Sequence, residues 1–233
     1  MKVSMMLLVV AMVSTALGGE ITVKTLQGEV RVRHGVTEHW SEVAVGDVLR
    51  PNDSVRTGKS GSTILELAPN GSGRAQSVSL PPEVILDVSD MRTLTQEELM
   101  LKLTMEKVRS SSYQWKSDEL RMPNAAVVHG QESGAEEELK ENDRETGRFQ
   151  LNGARVLYKN GFYSTCILRA MEVFRHYPSM AESFTNRLMV AEALVESNLR
   201  GEALAEYGAI ARIESLSEEE RALVRERMDA IKD

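Results

Sequence analysis

At 233 residues, 42% of them hydrophobic, the chain is long enough for one large or two small domains, each with its own core. A net charge of -7, with an acidic block and no clustered Lys and Arg, argues against nucleic acid as a partner, because phosphate binding needs concentrated cations. The one cysteine, Cys166, excludes an internal disulfide, so core packing has to hold the fold.

Lys2, the apolar run Met5 to Val13 and the small residues Ala16 and Gly18 have the layout of a secretory signal peptide over 1–18. The run is too short to span a bilayer, so no integral membrane segment is expected after cleavage. From 20 to 90 the pattern has period two. Val30 and Val32 alternate with Arg31 and Arg33, Leu65 and Leu67 with Glu66, and Val84, Leu86 and Val88 with Asp87; turn residues at Gly35, Gly46-Asp47, Asn52-Asp53, Gly58 and Pro81-Pro82 cut the runs. This predicts an antiparallel β-sandwich or roll. A connecting helix is expected over 91–110, opened by a Thr95/Glu98 capping box, with Leu101, Met105 and Val108 on one side and Leu99 and Leu103 on the other. Residues 111–147 read as an acidic, largely flexible linker, with one short extended segment at Pro123 to His129 and with Tyr113 and Trp115 either forming a docking strip or packing on a nearby helix.

Helical spacing occupies 148–233, broken at Asn160-Gly161, Pro178-Ser179 and Asn198 to Gly201, and a second capping box stands at Ser217 and Glu220. Within it a 37-residue period pairs Ala154 with Ala191, Leu157 with Leu194, Cys166 with Ala203, Ala170 with Tyr207 and Val173 with Ile210. Five helices fit this pattern, as two hairpins and a cap that lean on the β-domain or on a second copy of the chain. The expected class is therefore multidomain, β then α.

Two family resemblances follow from these residues. Gly28 with Val30, Trp40, the string from Gly46-Asp47-Val48-Leu49 through Asn52-Asp53 to Val55-Arg56-Thr57-Gly58, and Ser60 resemble the FecR domain of bacterial envelope proteins. That resemblance implies a periplasmic β-domain, here without the membrane helix and sigma-factor-binding segment of the family's best-known members. Ala154, Leu157, Gly161, Tyr163, Cys166, Ala170 and Pro178 resemble tetratricopeptide hairpins, with Gly153 and Cys166 departing from the commonest residues. This second resemblance implies a scaffold that binds partners.

No nucleophile elbow, metalloprotease pair or cysteine ligand pattern occurs, and no catalytic, cofactor or metal residue is expected. Gly58-Lys59-Ser60 imitates a phosphate loop but precedes a strand rather than a helix. His34 and His39 read as loop histidines, too few to hold a metal. Cys166 reads as a small core residue, ten positions from His176 and on a different helix face. Trp40 either stacks on a sugar or peptide or plugs the core, the FecR position favouring the plug. The partner-binding candidates are Arg155, Tyr158 and Lys159, with Glu192 one period on and Trp40 as an alternative; Leu151, Leu188, Val195 and Glu196 complete the expected face. The bland alternative for that face is a solvated surface with an Arg155–Glu192 pair.

The sequence thus predicts an exported, non-catalytic binding or scaffold protein of the periplasm or cell surface of a bacterium, holding envelope proteins or peptidoglycan and needing no cofactor. The alternative is a periplasmic sensor or regulator module.

Overall fold

The computed structural model describes residues 20–69, 74–119 and 133–232. The expected signal peptide and the Pro123 to His129 segment fall outside these residues, as do the side chains of Tyr113 and Trp115.

Eight strands form two four-stranded antiparallel sheets. One sheet has the order β4-β1-β6-β7, from β1 (Ile21–Gln27), β4 (Val48–Leu49), β6 (Ser62–Leu67) and β7 (Gln76–Leu80). The other has the order β3-β2-β5-β8, from β2 (Val30–His34), β3 (Trp40–Glu42), β5 (Asp53–Thr57) and β8 (Ile85–Asp87). Alternation decides which side chains go inside: Val30, Val32, Val55, Leu65, Val78, Leu80 and Leu86 are all buried, while Arg31, Glu42 and Ser79 are not. The loop from β1 to β2 turns at Gly28 (φ 63°), where a Cβ would stand 2.4 Å from the Ser60 carbonyl oxygen, so only glycine fits.

Among the described residues six α-helices follow: α1 (Gln96–Glu119), α2 (Ser133–Lys159), α3 (Tyr163–His176), α4 (Phe184–Glu196), α5 (Arg200–Ile210) and α6 (Glu218–Lys232). Each of α2 to α5 packs against the next in the chain, and α1 packs against α3. The Ser217/Glu220 box is reciprocal, with both backbone N–H groups satisfied by the opposite side chain at 2.9 and 3.2 Å. The Thr95 box is half formed. The Glu98 N–H donates to Thr95 Oγ1, but the Glu98 carboxylate is taken by Arg92, which draws its pKa below the ordinary value.

Helix α2 starts at Ser133, inside the span expected to be a tether, and α1 runs on to Glu119. The acidic stretch has too few apolar residues for a helical stripe, Ala135 and Leu139 alone, yet Ala, Glu, Leu and Lys are strong helix formers, and carboxylates in a first turn offset the helix dipole.

The ten residues paired by the 37-residue period are all buried. Their turns match as well. Gly161 (φ 81°) and Asn198 (φ 59°) stand one period apart in the left-handed region. Each is followed by a residue whose N–H reaches back five positions, Phe162 to Leu157 O and Leu199 to Leu194 O, while the left-handed residues themselves donate to Tyr158 O and Val195 O. Both helices therefore end in the same two-bond Schellman cap.

Sheets and helices share one contiguous core, in which Val84, Leu86 and Val88 adjoin Leu99, Leu103, Leu151, Ala154 and Ile167. Helix α2 lies against β8 and β7, the last strands of the two sheets. Gly153 explains its own departure from the commonest repeat residues: a Cβ there would stand 2.2 Å from Ile85 O, so the missing side chain lets the helix touch the strand backbone. The Asn152 amide donates to Glu83 O, and Gln76 Nε2 donates to Asn160 O. The connector after β8 is held in turn by α3, where Ser164 Oγ accepts from Leu94 N–H and Thr165 Oγ1 donates to Asp90 O.

Candidate functional site

Helix α2 presents Asn152, Arg155, Lys159 and Asn160 toward β7, and between them lies an open groove of about 560 Å³ whose other wall is Ser77, Ser79, Pro81 and Pro82. Strand β7 points Val78 and Leu80 into the core, which leaves its two serines outside. Arg155 and Lys159 are four positions apart on one helix face, so both candidates belong to this groove.

The Arg155 guanidinium donates to two amide oxygens, Asn152 Oδ1 at 2.5 Å and Asn186 Oδ1 at 2.6 Å. Burial lowers its pKa from the ordinary arginine value, and no acid opposes the shift. Tyr158 turns away from the groove. Its hydroxyl donates to Glu192 Oε2 at 3.0 Å, its ring meets Tyr163 edge-on at 5.5 Å, and burial together with the Glu192 bond raises its pKa. Glu192 lies 3.9 Å from Arg227 on α6, so a polar line crosses α2, α4 and α6. The expected Arg155–Glu192 pair does not form: Asn186, six residues before Glu192 on α4, takes the arginine, and Tyr158 takes the glutamate.

Leu151 is not part of any open face. It is 2% exposed, sealed in the core that α2 shares with the sheets. Trp40 is not a core plug. It is half-buried on β3, with the Arg33 guanidinium 5.2 Å from its ring centroid. As β3 and β8 are opposite edges of one sheet, three strand spacings of about 4.8 Å separate Trp40 from the strand that α2 covers.

A second cluster joins the sheet to α3. Trp40, Arg33, Ser54 and Asp87 are register partners across all four strands of one sheet. Arg33 Nη2 donates to Ser54 Oγ, which donates to Asp87 Oδ1 at 2.5 Å. Arg169 ends the row, bonded to Asp87, to Asp90 at 2.6 Å and to Glu172 at 3.2 Å. For Asp87, burial raises the pKa but Arg169 and Ser54 outweigh it, and the carboxyl sits below its usual range. At Asp90 burial prevails over Arg169 and the carboxyl sits above. This cluster fastens the two halves of the fold.

Cys166 is buried, and burial pushes its thiol up to about 12. His34 Nδ1 lies 3.0 Å from Asp53 Oδ1 at the end of β2. Gly58-Lys59-Ser60 forms the turn from β5 to β6, and Lys59 faces Glu145 at 3.6 Å. Among the described residues no three His, Cys, Asp or Glu converge as metal ligands, and no helix is long and apolar enough to cross a membrane. The serines of β7 and the amides Asn152 and Asn186 carry no signal in the sequence.

No protein-family model matches the chain, and no curated protein matches it.

Proposed function

We propose that this is an exported, non-catalytic binding protein of the bacterial envelope, a FecR-like β-domain carrying tetratricopeptide-like hairpins, which holds protein or cell-wall partners. The observation that carries the reading is the matched pair of turns at Gly161 and Asn198 with the ten buried positions around them, because hairpins repeated in this way make stacked surfaces whose common use is binding. The open groove beside α2 supplies a surface for that use.

The test is a photo-crosslinking residue at exposed Lys159 in the full chain, made in a bacterial host and followed by fractionation and N-terminal sequencing. The reading expects adducts in the envelope fraction and a chain starting near Gly19. A full-length cytoplasmic product without adducts overturns it. Adducts confined to a membrane regulator would move the protein to the sensor alternative.

A further inference from the structure

Building on that reading, we propose that the groove between β7 and α2 receives an extended acidic segment of a partner protein, laid along the open edge of β7 with a carboxylate on Arg155 and Lys159. Among the described residues strand β7 ends its sheet and pairs only with β6, so its outer edge carries main-chain groups able to bind another strand. The Gln76–Asn160 hydrogen bond ties one end of the strand to the end of α2 and bounds the groove there.

Charge selects the occupant. The groove wall holds two cations and no carboxylate. Elsewhere, three arginines that join separate elements meet acids: Arg169 meets Asp90, Arg175 meets Glu106 and Arg187 meets Glu206, while Arg200 donates to the Ile231 carbonyl. Arg155 has only two amide oxygens, which leaves guanidinium donors in a fork suited to a carboxylate. Among the described residues neither Arg155 nor Lys159 forms an ion pair. A nucleic acid fits poorly, since two cations on a chain of net charge -7 do not match a run of phosphates. One or two carboxylates on an extended strand do.

The experiment measures fluorescence anisotropy of the full chain with a labelled eight-residue peptide of alternating Thr and Glu, against its Thr–Gln counterpart. The Thr–Glu peptide should bind at least tenfold tighter and slow hydrogen exchange at the amides of Gln76–Leu80. The variant Arg155→Gln/Lys159→Gln should lose at least tenfold for Thr–Glu and nothing for Thr–Gln. Lys159→Glu, at an exposed position, should lose at least fivefold while its melting stays unchanged, which keeps the test open if the double variant unfolds. Equal affinity for the two peptides, unchanged binding by Lys159→Glu, or binding without slowed exchange in β7 overturns the proposal. Failure here with adducts at Lys159 intact removes the acidic strand as the occupant and leaves the scaffold; peptide binding by a cytoplasmic chain does the reverse.

Discussion

A methyl group at Gly153 would stand 2.2 Å from the Ile85 carbonyl oxygen, whereas one at Gly208 would meet nothing within 4 Å. The two glycines are both helical and have opposite duties. Gly153→Ala should cost about 1–3 kcal/mol in urea unfolding, because backbone cannot yield as a side chain does. Gly208→Ala should add roughly 0.5–1 kcal/mol, the gain in helix propensity where space is free. Cys166 offers a second check. A buried thiol held near 12 is almost all protonated at pH 8, so a disulfide reagent should label it only as fast as the chain opens, and immediately in denaturant. Arg169→Met leaves Asp87 and Asp90 buried without their cation, at a cost of about 3–5 kcal/mol near pH 7. Both carboxyls then lose the influence that lowered them: Asp90, already raised by burial, rises further, and Asp87 rises from its lowered position above the unfolded value. A raised carboxyl destabilises above its unfolded pKa and ceases to as it is protonated, so the deficit should shrink toward pH 4 in denaturant titrations.

At the scale of elements, caps decide where α1 and α6 start. Ser217→Ala removes the Oγ arm of a reciprocal box, leaving only the residue-217 N–H bonded to Glu220, and should cost about 0.5–2 kcal/mol, visible as faster amide exchange in the first turn of α6. Thr95→Ala removes one bond of a box whose acid already serves Arg92, and should cost less. The strands from Val30 to Val88 were legible because period-two alternation is a local record of which side faces the core. The breaks at Gly161 and Asn198 were legible for a similar reason, as left-handed turns favour Gly and Asn. The start of α2 was not, since an acidic run with only Ala135 and Leu139 apolar gives no periodicity to read, and its helix rests on propensity and dipole. Nor was the groove. Arg155 and Lys159 stood out as cations on a helix face, but the serines that complete their wall arrive through the β7–α2 contact, and the Asn186 that displaces Glu192 from Arg155 comes from a different helix.

At the scale of the whole molecule, one core runs from the sandwich into the helices, and Leu94, Asp87 and Asp90 are bonded from α3. In a Trp115→Phe chain, helix loss by circular dichroism and Trp40 fluorescence should therefore change at the same denaturant concentration. Two separate midpoints would show that the halves fold alone. The row from Trp40 through Arg33, Ser54 and Asp87 to Arg169 gives that chain a built-in optical probe. The guanidinium over the indole is positioned by a serine that also holds the carboxylate gripped by α3, so a disturbance at the helical junction reaches the ring through three side chains. The emission of one tryptophan at the far edge of a sheet would then report whether α3 is seated, without a label and without touching the groove beside α2.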